Sequence, residues 1–252
     1  MTAIGGLVAW HVMRAHLDVY RGKSPTEVGA YSVSEAAWFL QLPLSTVRSW
    51  VSGRPYPTRA GTAKFVPIIE VDDPDRRLLS FRNLIEIHVL SSLRRQHQVR
   101  LDAVRATVNY LRRELGTSHP LAERSIFAGG GEVFVEHYGK LINFSRQGQL
   151  AMSECLGIYL ERIRRNASGV PVKLYPFARD VPRREDPKVV VIDPTISFGR
   201  PCIDGRSVRT SVIADRYKAG ETRESLASDF SCTSAQIDEA VRYEFRPAKA
   251  AA

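Results

Sequence analysis

The 252-residue sequence has few cysteines and none close together. Cys155, Cys202 and Cys232 form no C-x-x-C pair, which excludes a legible disulfide framework or zinc site and predicts reduced thiols. Six scattered histidines add no ligand cluster, and His88, inside a helical pattern, reads as a packed side chain. No apolar run has the length of a membrane-crossing helix. The apolar start IGGLVAW lacks a basic n-region and a cleavage site, so the chain is expected in the cytoplasm with no membrane partner. No close cluster of carboxylates, nucleophile and base, or metal ligands is visible. The sequence therefore predicts no catalytic residue, metal or cofactor.

Acidic residues are also in deficit. A formal charge of +9 and a pI near 9.7 favour a polyanionic partner. Residues 31–65 carry four Lys and Arg against one Glu, whereas residues 193–244 carry seven against nine acids. The positive field belongs to the first helix-turn-helix and the middle of the chain, not to the C-terminal part.

The stretch 31–53, YSVSEAAWFLQLPLSTVRSWVSG, has the pattern of two short helices crossed at a tight turn. Ser32 and Glu35 stand at capping-box spacing, Ala36, Ala37 and Leu40 form an inner face, and Val47, Trp50 and Val51 give the second helix its apolar stripe. Ser45, Thr46, Arg48 and Ser49 are left facing out, where such side chains reach base edges or phosphates. Simple packing of two helices gives the same seam. Gln41 replaces the usual turn glycine and Pro43 the usual cap hydroxyl. Arg54, Arg59 and Lys64 follow, leading into FVPIIEV and, past DDPD, RLLS, which reads as a wing hairpin able to touch phosphates.

Beyond the wing, Ser80 caps an expected helix FRNLIEIHVLSSLRRQ with Phe81, Leu84, Ile85, Val89 and Leu93 inward, and Gly116 ends a second helix over 101–115. That second helix packs or forms a short dimer seam. These segments together resemble the winged helix-turn-helix of MerR-type regulators over about a third of the chain. Residues 7–20 read as an extra amphipathic helix. Residues 124–145, RSIFAGGGEVFVEHYGKLINFS, read as short strands broken by glycines, followed by a helix through LAMSECLGIYLERIRRN, a strand VPVKLYPF and the connector ARDVPRREDP.

Residues 191–244 hold a second helix-turn-helix pattern, with Thr222 as a cap and Thr233 and Gln236 as a capping box. Its entry, D-P-x-I-x-x-G-R-P-x-I-x-G, and its helices strongly resemble a small bacterial domain of unknown function found in VapB-like antitoxins of type II toxin–antitoxin modules. The resemblance implies an antitoxin that neutralises a cognate PIN-type ribonuclease toxin and represses its own operon. Asp238 and Glu239, expected on the outer face of the last helix, would repel phosphates, so operator DNA is assigned to the first motif. Arg206 and Arg209 remain candidates for backbone contact. Arg179, Arg183 and Arg184 of the connector, with Arg246 and Lys249 of the tail, are the basic groups expected to enter the toxin's acidic site. The rival reading is a ligand-responsive regulator with an effector pocket lined by Phe134, Tyr138 and Tyr159.

The expected fold is α+β and mainly helical. An N-terminal arm (1–30) precedes the winged helix-turn-helix (31–116), a central strand/helix region and linker (117–188), and the C-terminal helix-turn-helix domain (189–246); the two-fold operators usual for such motifs imply a dimer.

Overall fold

Ser32 starts the first described helix because its hydroxyl accepts from the Glu35 amide (3.2 Å) while the Glu35 carboxylate accepts from the Ser32 amide (2.8 Å). Helix α1 (Val33–Phe39) buries Ala36, Ala37 and Phe39, and α2 (Leu44–Ser52) buries Val47, Trp50 and Val51 against it. The structure is a computed structural model that describes residues 20, 22–58, 61–93, 100–123, 131–142 and 145–245. The helix expected over 7–20 lies outside the described residues apart from Tyr20, whose hydroxyl donates to the Pro194 carbonyl (3.1 Å).

A two-stranded antiparallel hairpin follows, β1 (Pro55–Thr58) with β2 (Gly61–Lys64). It lies just upstream of the segments expected to form the wing ladder. The amides of Ile68 and Ile69 donate instead to the Trp50 carbonyl (2.8 and 3.1 Å), which fastens this segment to α2, and the return run makes only single bridges, Asp73 to Leu78 and Tyr31 to Leu79.

Helix α3 (Phe81–Leu93) is buried on nearly all sides, with the Ser80 hydroxyl accepting from the Asn83 amide (3.1 Å). Helix α4 (Leu101–Leu115) buries Val104, Val108 and Leu111, leaves its terminal Leu101 and Leu115 exposed, and ends at Gly116 with φ +61°. A buried polar knot joins these parts. Both ring nitrogens of His119 meet carboxylates, Nδ1 at Glu86 (3.0 Å) and Nε2 at Asp72 (2.9 Å), while the Asn83 amide donates to the Glu70 carbonyl (2.7 Å).

Residues 131–142 form helix α5 (Gly131–Ile142), which corrects the expected strands; residues 124–130 lie outside the described part. Aromatic and β-branched residues suggested strands, yet Phe134, Val135 and Tyr138 recur at helical spacing and are buried together. Gly139 permits close approach to α6 (Arg146–Leu160), since a Cβ there would lie 2.8 Å from the Gln149 side chain. Helix α6 also stops earlier than expected, because Ile163–Arg165 becomes β3 and pairs with β4 (Pro171–Leu174). Backbone bonds between Leu174 and Ile192 (3.0 and 2.8 Å) connect this sheet to the third, β5 (Val190–Val191) with β6 (Cys202–Ile203).

Three helices close the described residues: α7 (Thr210–Lys218), α8 (Arg223–Asp229) and α9 (Ser234–Glu244). A shift of 190 positions carries α1 onto α8 residue for residue. The turn is reproduced as well. Gln41 (φ +56°) matches Ser231 (φ +51°), and Leu42 N to Ala37 O (2.9 Å) matches Cys232 N to Ala227 O (2.8 Å). Ala37 and Ala227 are the small residues at the crossing in both pairs, so one backbone geometry is built twice from largely different side chains.

Two expectations follow. Gly199 has φ +72° and a Cβ on it would fall 2.0 Å from the Tyr31 hydroxyl, so Gly199→Ala should cost roughly 2–4 kcal/mol in urea unfolding. Burial opposes the charge on His119, but hydrogen bonds to Asp72 and Glu86 outweigh it and hold the pKa up at about 9. A raised folded pKa gives stability that is complete below about 6.5 and lost as pH rises through 9. Unfolding measured from pH 6 to 10 should show that loss, and His119→Gln should flatten it.

Candidate nucleic-acid interface and the ties behind it

The outer face of α2 is the most accessible part of the first helix pair. Ser45 and Arg48 are exposed, and Thr46 and Ser49 are half-buried. Beyond the helix Arg54 and Lys64 are exposed, and Arg59 lies outside the described residues. Among the described residues Arg48, Arg54 and Lys64 make no ion pair. Arg48 and Lys64 also border an open cleft of about 1100 Å³ between α2, β2 and the 66–79 segment, shared with Arg77 and Arg112. Arg77 was not singled out in the sequence, and its only signal was its position beside the expected turn.

The back of this helix pair is covered by the C-terminal segment. The Tyr243 hydroxyl on α9 donates to the Phe39 carbonyl (2.8 Å), Arg200 pairs with Glu35 and lies 5.9 Å from the Phe39 ring centre, and the Gln41 amide donates to the Phe177 carbonyl. The glycine- and proline-rich entry therefore works here as a clamp. Asp193 Oδ1 accepts from the Thr195 amide and hydroxyl (2.9 and 2.6 Å), Gly199 passes under Tyr31, and the Pro201 carbonyl accepts from the Thr210 amide (3.0 Å).

Helix α9 is differently placed from α2. Asp238 is half-buried and pairs with Arg223 (2.6 Å), but Glu239, expected on the outer face, is only 5% exposed. Both its oxygens are held by Arg179 (2.6 and 3.0 Å), which also lies 3.6 Å from Asp186. Arg179 is thus not a free connector residue. Arg184 pairs with Glu161 (3.3 Å), and Arg183 keeps an exposed side chain while its amide donates to Asp186 (3.0 Å). Arg246 and Lys249 lie outside the described residues. Arg206 and Arg209 are exposed, whereas Arg216 is occupied by Glu221 and Asp229.

The connector is shaped around Arg162, whose side chain is buried and donates to the carbonyls of Tyr175 (2.8 Å), Pro176 (3.2 Å), Asp186 (2.7 Å) and Pro187 (3.1 Å). Burial lowers its pKa to about 10, with Asp186 opposing the shift, so it stays charged at neutral pH.

Phe134, Tyr138 and Tyr159, expected to line an effector pocket, are packed into the core of the described residues. All three are at most 5% exposed, and the cavity that Phe134 borders with Val89, Leu90, Leu93, Leu121 and Leu156 measures about 10 Å³, room for at most one water. His88 packs beside Tyr159 and Phe177. Burial depresses its pKa to about 3, leaving a neutral ring bonded to the Tyr159 carbonyl (3.0 Å).

Residues 190–243 match the family model described as "Protein of unknown function (DUF433)". The chain is 28% identical to the "Putative antitoxin VapB45" of Mycobacterium tuberculosis (strain ATCC 25618 / H37Rv), over 85% of this chain and 93% of that protein. The "Uncharacterized protein Rv2308" of the same organism is 25% identical over 92% of this chain and 95% of its own length. The crystal structure of Rv2018 from Mycobacterium tuberculosis has the same fold, with a TM-score of 0.62 at 22% identity over 85% of this chain and 98% of that one. This chain is therefore similar along most of its length to the protein named "Putative antitoxin VapB45". No helix among the described residues is long and apolar enough to cross a membrane.

Removing Arg179 leaves the Glu239 carboxylate buried without its bidentate partner. Arg179→Ala should lower stability by about 1–3 kcal/mol, and adding Glu239→Leu should recover much of it, as read from the thermal midpoints of the single and double variants. A purely solvated arginine would give no recovery.

Proposed function

We propose that the protein is an antitoxin that binds operator DNA through a winged helix-turn-helix formed by α1, α2 and the β1–β2 hairpin, and that it neutralises a cognate PIN-type ribonuclease toxin. One observation carries the DNA assignment. The outer face of α2 presents Arg48 unpaired beside Ser45, while the corresponding face of α9 presents Asp238 and turns Glu239 into its own chain. Unpaired cations beside hydroxyls suit a phosphate-lined groove, and carboxylates do not. Arg54, Arg59, Lys64 and Arg77 would meet phosphates, with Thr46 and Ser49 at the groove edge.

The antitoxin part rests on the near full-length similarity to a named antitoxin, and the nature of the toxin on the resemblance of the C-terminal domain. Arg183, Arg246 and Lys249 are the basic residues left to meet an acidic toxin site, since Arg179 and Arg184 are engaged within the chain. A dimer is part of the reading, because paired half-sites are how such motifs gain specificity.

Titration of the protein's own promoter DNA tests the first part. Arg48→Ala should weaken specific binding by about 1–3 kcal/mol, whereas Arg54→Ala and Lys64→Ala should chiefly reduce the salt dependence. Normal promoter binding by an Arg48→Ala, Lys64→Ala double variant would remove the assignment. Ribonuclease activity of the product of the adjacent gene, titrated with this protein, tests the second part; an undiminished nuclease at molar excess would exclude neutralisation.

A further inference from the structure

Because one helix-pair geometry occurs twice, each copy shows which side chains the fold itself requires. The buried positions agree in kind: Ala36 and Leu226, Ala37 and Ala227, Val47 and Ile237, Trp50 and Ala240. Three positions that are exposed in the first pair differ sharply. Trp38, Leu44 and Arg48 in the first pair correspond to Ser228, Ser234 and Asp238 in the second. Trp38 is 44% exposed and Leu44 39%, while Ser228 and Ser234 are exposed serines in a pair that folds to the same turn geometry. The motif does not need apolar groups at these sites.

Leu44 is the first residue of α2 and lies one turn before Arg48, with Ser52 one turn further on, so the three form one row that starts at the margin of the buried stripe, beside Val51, and turns outward through Arg48 to Ser52. The C-terminal clamp holds Glu35 and Phe39, the connector holds Gln41, and Leu44, Arg48 and Ser52 stay exposed. A protein partner packed on Leu44 would have to bury the unpaired Arg48 at a desolvation cost. A DNA groove offers that guanidinium an acceptor and offers Leu44 a methyl group, the apolar mark by which thymine differs from cytosine in the major groove.

We propose that Leu44 reads a thymine C5-methyl group beside a guanine held by Arg48, and that Trp38, on the helix that crosses the backbone, rests on the neighbouring sugar-phosphate edge. This rests on the groove assignment of α2. Four helical residues rise about 6 Å, which spans about two steps of duplex at 3.4 Å each, so the two bases lie within about two base pairs of one another.

The test uses the full-length protein and a library of random duplexes, from which the bound sequences are selected and then remade with deoxyuridine at one thymine at a time. Wild type should lose about fourfold in affinity at one thymine within two base pairs of a required guanine, the size expected for one buried methyl, about 0.8 kcal/mol at 1.4 kcal/mol per tenfold. Leu44→Ser, which installs the residue found in the second copy, should abolish that sensitivity, keep the guanine preference and leave the unfolding midpoint in place. Trp38→Ser should weaken all sequences alike. Indifference of the wild type to deoxyuridine at every selected thymine, or full sensitivity retained in Leu44→Ser, overturns the proposal while the groove assignment stands. Enrichment of no sequence by the wild type overturns both.

Discussion

The connector between the two halves is organised by one buried cation. Arg162 sits at 2% exposure without a carboxylate on its guanidinium, and four main-chain carbonyls, from Tyr175, Pro176, Asp186 and Pro187, supply its acceptors. A buried charge tolerates this only when its donors are satisfied, and so the carbonyls from both ends of the 175–187 segment are gathered around it. The ring of Phe177 lies 4.7 Å from the guanidinium carbon. That loop in turn carries the Phe177 carbonyl to Gln41 and Arg179 to Glu239. Without the Arg162 centre, neither tie from the connector has a fixed anchor.

The clamp resolves what the two similar helix pairs do to one another. The first pair gives up the back of α1, where Phe39 is buried although its counterpart Asp229 is exposed. The second gives up the front of α9, where Glu239 is buried although its counterpart Ser49 is only half-covered. Both of these differences fall where the chain ties itself together, since the Phe39 carbonyl accepts from Tyr243 and Glu239 is held by Arg179. Equal backbones thus acquire unequal faces, one turned to solvent and one turned inward.

Local chemistry was the part of the fold legible in sequence. Ser32 with Glu35 and Thr233 with Gln236 predicted two helix starts through capping boxes, and Gly116 predicted a helix end, because each is decided within a few residues. The helix over 131–142 was misread since aromatic and β-branched residues favour strands until packing against α6 overrides them. Glu239 and Arg179 were misread for a related reason. Sixty positions separate them, and a helix face shows which residues share a side but not what another segment brings to cover it. Arg48 and Lys64 could be singled out from charge and position, while Arg77 needed the folded segment that brings it to the cleft they border.

The hydroxyl of Tyr243 reaches the Phe39 carbonyl across 204 positions of chain. During synthesis the first helix pair therefore emerges long before its cover. Phe39 and the underside of Tyr31 wait in solvent until nearly the last described helix has left the ribosome, so completion of this chain is a late, non-local closure. A stalled or prematurely ended copy would carry the outward face of α2 intact above an uncovered apolar back.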